Sequence, residues 1–220
     1  MPIDYSKIKT NRDMLDALGV AYDKQRERKG PSTMDYAYTD EDYKTRRRAF
    51  LQHSEGYRNR AYKDHKGNVT IGIGYNMERA GARDDFRKVL GFSDADFDAV
   101  KSGKRALTDD QVNKLFDYTI QEAEDIVDSK LGDAAKNLNE HQRMALVSLA
   151  FNLPGLIGPN LTRMLQEGDY KGALEGILWH SNKTKHKGLA NRRYREAAMF
   201  AGEDMGEAIP NYEEYIRNFA

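Results

Sequence analysis

Cysteine is absent from this chain of 220 residues, which excludes disulfides, thiol nucleophiles and cysteine-ligated zinc together. No apolar run approaches the roughly 18–20 residues that a bilayer-crossing helix needs. The opening MPIDYSKIKTNRDML has no apolar core behind its charges and does not read as a signal peptide. Synthesis and folding in a cytoplasm is the expectation that follows. Net charge is also missing: 35 Lys and Arg stand against 35 Asp and Glu, so no overall field draws the protein toward nucleic acid or an anionic wall. There is no internal repeat and no low-complexity tract. What remains is 39% hydrophobic and 32% charged, the balance of a folded protein and not of a disordered or membrane one. The length suffices for one substantial domain or for two small lobes sharing a core.

Charge is uneven locally. The run WHSNKTKHKGLANRRYR, 179–195, holds Lys183, Lys185, Lys187, Arg192, Arg193 and Arg195 and no acid. It reads as a solvated helix face with a basic loop, or as a contact surface for an anionic polymer; composition does not choose. Trp179, the single tryptophan, reads first as a core aromatic, with sugar stacking as the alternative.

Along the chain, residues 1–38 look like a helical extension. MLDALGVAYDKQ carries Met14, Leu15, Leu18 and Tyr22 at helical spacing, and RKGPST breaks the pattern with Gly30 and Pro31. Thr39 and Asp42 read as a helix N-cap pair leading into YKTRRRAFLQHSEG, with Phe50 and Leu51 inward and Gly56 as the stop. RAYKD and NVTIGIGY then flank HKG, a three-residue hairpin loop whose last member is glycine. The odd loop length pairs Asp64 near Asn68, which puts Asp64 and Thr70 on one face. From Leu107 the pattern is helical. Thr108 and Gln111 have capping-box spacing, and a helix over about 108–131 would run on the order of 35 Å. Asn139 and Gln142 form a second capping box before RMALVSLAFNL, which is apolar on nearly all sides and so predicts a buried helix. PGLIGPN interrupts, shorter helices follow, and Pro210 is expected to open the last. The sum is an α+β protein, a small hairpin-containing lobe joined by a long helix to a larger helical lobe over residues 39–220.

Three residues form the candidate site. Glu55 at a helix end is ordinarily a surface residue, Asp64 a turn former and Thr70 a strand former. Together they suit one chemistry. A carboxylate at a helix C-terminus meets the negative end of the helix dipole, which disfavours its ionised form, as a proton donor requires. A second carboxylate with a hydroxyl on the same face is equipped to hold and activate a water. Two carboxyl groups in those roles are the minimum for glycoside hydrolysis.

EGYRNRAYKDHKGNVTIGIGYN resembles the N-terminal motif of the bacteriophage T4-type lysozymes (glycoside hydrolase family 24): E-G, then Y-x-D, a short glycine turn and T-I-G-x-G. Glu55, Asp64 and Thr70 fall without a gap on that family's catalytic glutamate, aspartate and threonine. LTDDQVNKLF resembles the start of its interlobe helix, RMALVSLAFNLPG its buried helix, and GLANRRYREAAMF its R-R-x-x-E near the C-terminus. The resemblance covers about residues 46–203. It implies a lysozyme-like fold with a cleft between its lobes. It also implies cleavage of peptidoglycan at the β-1,4 bond between N-acetylmuramic acid and N-acetylglucosamine, with inversion, for phage-driven lysis of a bacterial host. By the same resemblance Arg192 aligns with an arginine that pairs with the catalytic glutamate, and Asn152 with an amide residue lining the cleft. Tyr75 replaces a histidine common after T-I-G-x-G, which removes a histidine–acid contact.

Competing readings are weaker. GIGYNM has Met77 where a third glycine should stand and lies within a hairpin, which argues against nucleotide binding. His53, Glu55, Asp64 and His65 lack a metal-ligand spacing, so no metal or other cofactor is expected. A lytic transglycosylase would need no second carboxylate, and a virion or wall-binding structural protein would keep a silent site. The expected partner is peptidoglycan, with a holin-type membrane partner or attachment to a virus particle to reach it. The protein is expected as a monomer, held in the host cytoplasm until release or carried in the virion.

Overall fold

Cap chemistry sets the helix limits. The computed structural model describes residues 3–18, 41–64, 67–181, 187–202 and 204–219. Tyr22, Gly30, Pro31, the Thr39 cap, His65, Lys183 and Lys185 lie outside the described residues. Helix α1 spans Asn11–Leu18 and α2 spans Glu41–Glu55. Gly56, at φ +74°, ends α2 with its N–H on the Gln52 carbonyl at 2.9 Å, a turn that glycine makes without steric cost. Glu55 is therefore the last residue of its helix. Helices α3 (Ala82–Leu90) and α4 (Asp94–Lys101) follow the sheet described below, then α5 (Asp109–Leu131) and α6 (Glu140–Asn152). The Thr108 hydroxyl accepts the Gln111 N–H at 3.2 Å while the Gln111 side chain accepts the Thr108 N–H at 3.0 Å. Asn139 and Gln142 do the same for α6 at 2.9 and 3.0 Å. Helices α7 (Pro159–Gln166), α8 (Tyr170–Glu175), α9 (Lys187–Ala201) and α10 (Tyr212–Arg217) complete the described set. Asn211, not Pro210, opens α10: its side chain accepts the Glu213 N–H at 2.9 Å, and Pro210 stands outside the helix.

The described residues form two compact units, one holding Leu51–Glu122 and the other the residues up to Phe50 and from Ala123 on. The divisions fall inside α2 and α5. The first unit carries a three-stranded antiparallel sheet in the order β1 (Arg58–Lys63), β2 (Val69–Gly72), β3 (Tyr75–Asn76). Tyr62 pairs with Thr70 and Lys63 with Val69, and a bulge between Arg58 and Tyr62 bends β1. The segment NVTIGIGY is not one strand. Gly72 at φ +65° and Gly74 at φ +71° fold it back, so that Ile71 pairs with Tyr75 and Thr70 with Asn76. Ile71 and Tyr75 are buried. Tyr75 meets Phe86 of α3 edge-on at 5.6 Å, and Phe86 in turn meets Phe92 and Phe97 at 5.9 and 5.0 Å. The Tyr75 hydroxyl donates to Asp85 Oδ2 at 2.7 Å, so an acid contact survives where the histidine is missing.

The second unit is helical. His141 through Ala150 of α6 are all buried, and α9 packs against this helix. The α1 residues Met14, Leu15 and Leu18 are buried in the same unit, and the Asn11 amide donates to the Gly202 carbonyl at 2.6 Å. Tyr5 stacks on Tyr212 at 4.4 Å. Residues 3–18 are thus part of this unit's core packing. Buried ion pairs tie its helices: Glu124 accepts from the Tyr43 hydroxyl, Arg47 and Arg143, each at 2.7 Å. Neither reading of the basic run holds for its arginines. Arg192, Arg193 and Arg195 are 6%, 0% and 8% exposed, so they face inward from α9 instead of forming a solvated or polymer-binding surface. Trp179 is neither a core residue nor wholly free: it is 38% exposed and stacked on Phe219 at 6.4 Å.

Candidate active site

Glu55, Asp64 and Thr70 all lie in the sheet-bearing unit. Asp64 follows β1 and holds the hairpin closed. Its N–H donates to the Asn68 carbonyl at 2.9 Å, and its Oδ1 accepts the Asn68 N–H at 2.9 Å. Oδ2 takes the Asn68 side-chain amide at 3.3 Å. Gly67, at φ +87°, supplies the left-handed position of the loop. The turn-forming reading of Asp64 is thereby true, and it also fixes where the carboxylate stands. Strand parity does the rest. Tyr62 precedes Asp64 by two residues and pairs with Thr70, which pairs with Asn76, so the four share one face. Thr70 is 5% exposed, and its hydroxyl donates to the Asn68 carbonyl at 3.4 Å.

Glu55 reaches this region from the end of α2. A Cβ built on Gly74 would stand 2.8 Å from Glu55 Oε2 and 3.3 Å from Glu55 Cβ. The carboxyl group therefore lies against bare backbone at the β2–β3 turn, and glycine is required at 74 for its φ and for this approach. Tyr62 joins the two acids electrostatically. Its phenol is held above its usual pKa first by burial and then by the charges of Glu55 and Asp64, with Arg58 opposing them. Gly74 and Tyr62 escape a reading by residue chemistry, because neither is a proton donor or nucleophile at neutral pH; the Y-x-D and T-I-G-x-G spacing was the available signal.

Asn152 and Arg192 belong to the helical unit. Arg192 donates through Nε to Glu196 at 3.0 Å and through Nη2 to the Ser148 carbonyl at 3.0 Å. Glu196, fully buried, also accepts from Ser148 Oγ at 2.6 Å and from Arg193, whose other nitrogen donates to Asn152 Oδ1. Burial lowers the Arg193 pKa while Glu196 opposes the shift. The R-R-x-x-E motif is a buried brace between α9 and the C-terminal end of α6. Asn152 is exposed at that end. Among the described residues, no group of three or more His, Asp or Glu is placed to hold a metal ion.

The family described as phage lysozyme matches residues 52–196. The endolysin of Salmonella phage P22 is 29% identical over 153 residues, covering 68% of this chain and 91% of the relative. A crystal structure of a P22 lysozyme mutant superposes with a TM-score of 0.51 at 26% identity, covering 73% of this chain and 96% of that one. The matched span opens three residues before Glu55 and closes on Glu196, the acid at the centre of the α6–α9 brace. With most of its length and all three candidate catalytic residues inside that span, the chain belongs to the phage lysozyme family.

Proposed function

We propose that this phage-type peptidoglycan hydrolase is a muramidase acting on the β-1,4 bond between N-acetylmuramic acid and N-acetylglucosamine. Glu55 donates its proton to the bridging oxygen as the bond to the anomeric carbon breaks. Asp64, with the Thr70 hydroxyl, holds a water on the opposite face of the sugar. As the water oxygen bonds to that carbon, its proton passes to Asp64 and the anomeric centre inverts. Asn152 and Arg192 contribute to substrate binding on the strength of the family resemblance. The observation that carries the reading is geometric: Asp64, fixed on Asn68, shares a face with Thr70, and Glu55 lies against Gly74 at the β2–β3 turn of the same sheet.

Turbidity of outer-membrane-permeabilised Gram-negative cells tests it. The wild-type protein clears the suspension, and Glu55→Gln, which keeps shape but has no proton to give, slows clearing by at least about 100-fold. Equal clearing by both proteins would refute the assignment of Glu55. Release of 1,6-anhydro ends would refute the water-holding role of Asp64 and Thr70.

A further inference from the structure

The face that carries Asp64 and Thr70 also presents a hydroxyl to which the roles above give no task. Tyr62 sits opposite Thr70 on β1 and two residues before Asp64. One face of its ring is covered by the Arg58 guanidinium, 4.4 Å from the ring centroid. That contact holds the ring from one side. The side chain is only half-buried, so the hydroxyl end is within reach of a ligand. Among the described residues the phenol oxygen has no hydrogen-bond partner, neither Glu55 nor Asp64 included.

A half-exposed donor with no protein partner is left to water in the free enzyme and is open to a ligand acceptor. Burial and the two nearby acids keep this phenol protonated across the working pH range, so it stays a donor. An amino-sugar chain offers neutral acceptors: hydroxyls, acetamido carbonyls and the ring oxygen. A water would satisfy the group equally well in the free enzyme and would be displaced on binding.

We propose that Tyr62 is a substrate-binding residue whose phenol donates a hydrogen bond to a neutral sugar oxygen of the glycan, with Arg58 positioning the ring. The inference rests on the muramidase reading of the same face. It explains why a tyrosine, and not merely any strand-forming aromatic, stands between the two acids.

The test separates binding from turnover. A soluble tetrasaccharide of alternating N-acetylglucosamine and N-acetylmuramic acid is titrated calorimetrically into Glu55→Gln protein and into Glu55→Gln/Tyr62→Phe. Loss of one hydrogen bond at a preformed site weakens binding about 10-fold. In the otherwise wild-type enzyme Tyr62→Phe raises KM by about the same factor and leaves kcat within about threefold, since the bond serves ground and transition state alike. Arg58→Gln weakens binding by about threefold alone and has no further effect beside Tyr62→Phe, because it acts through the ring. The melting temperature of Tyr62→Phe stays within about 2 °C of wild type, as the ring and its Arg58 contact are retained. Unchanged affinity and KM would overturn the proposal, as would a loss of affinity that merely follows a loss of stability. Weakened tetrasaccharide binding in a protein that proves unable to cleave peptidoglycan would instead retain the Tyr62 assignment and discard the muramidase reading.

Discussion

Replacing Gly74 by alanine separates the stability of the β2–β3 turn from the placement of Glu55. Gly74 has φ +71°, where an L-residue costs about 1–2 kcal/mol. The new Cβ would also lie 2.8 Å from Glu55 Oε2, closer than real contacts allow, and 3.3 Å from Glu55 Cβ. The oxygen is the far end of a flexible side chain, so it yields cheaply and the collision adds little to the loss of stability. It yields by turning the carboxyl group aside, and a displacement of up to about 1 Å at a reacting group costs on the order of 100-fold in rate. Gly72→Ala is the matched control. Its φ is +65°, but its Cβ would meet Val112 Cγ1 at 3.3 Å and touches no part of Glu55. At about 2–4 °C per kcal/mol for a chain of this size, both variants melt about 2–8 °C below wild type. Initial rates of reducing-end release from purified peptidoglycan, taken well below both melting points, should fall about 10–100-fold for Gly74→Ala and less than about threefold for Gly72→Ala. Equal rates for the two variants would refute the claim that Gly74 is glycine for the sake of Glu55.

Other consequences follow from the packing and the charges. Glu196→Ala strips Arg192, Arg193 and Ser148 of a fully buried acceptor and should cost about 3–5 kcal/mol in urea unfolding. A loss below about 1 kcal/mol would show that the brace is ornamental. Leu15→Ala should cost about 2–5 kcal/mol, since Leu15 is 2% exposed within the helical unit; a silent substitution would make residues 3–18 a dispensable arm. Alkaline pH should weaken the fold. Burial raises the phenols of Tyr75, Tyr194 and Tyr215, and lifts Tyr57 and Tyr212 to about 12. A raised folded-state pKa contributes stability that is whole below the unfolded value near 10 and is lost as pH climbs through the folded value. The melting temperature should therefore decline from about pH 10 toward pH 12, with late tyrosinate absorbance appearing only on unfolding. Early ionisation of every tyrosine near pH 10 in the folded protein would contradict this.

The features readable from the chain are those decided within a few residues. Gly56 as a helix stop, the capping boxes at Thr108 and Asn139, and the Asp64–Asn68 pairing each need only a local side chain or a left-handed glycine. The Glu55, Asp64 and Thr70 spacing was legible for the same reason, because one short segment carries all three. Longer-range outcomes were not. Arg192 and Arg193 have Glu196 one turn along their own helix. Even so, Arg192, Arg193 and Arg195 read as surface charge, because nothing local announces that Ser148, Asn152 and Tyr5 will also receive them and that all three will be buried. Helices α3 and α4 are not announced by local pattern: they are short, and their shared burial of Phe86 and Phe97 appears only once Tyr75 packs against Phe86. The break within NVTIGIGY was hidden because β-branched residues favour one continuous strand, whereas the two positive-φ glycines impose a turn. Gly74 owes part of its identity to a carboxyl group nineteen residues earlier, which no local pattern encodes.

Mass spectrometry of peptidoglycan digested by wild type, Glu55→Gln and Asp64→Asn tests most directly whether one hydrolytic site is built from these residues. The account predicts hydrolysed N-acetylmuramic acid reducing ends from wild type and their near disappearance from both amide variants. Undiminished ends from either variant, or 1,6-anhydro ends from wild type, would contradict it.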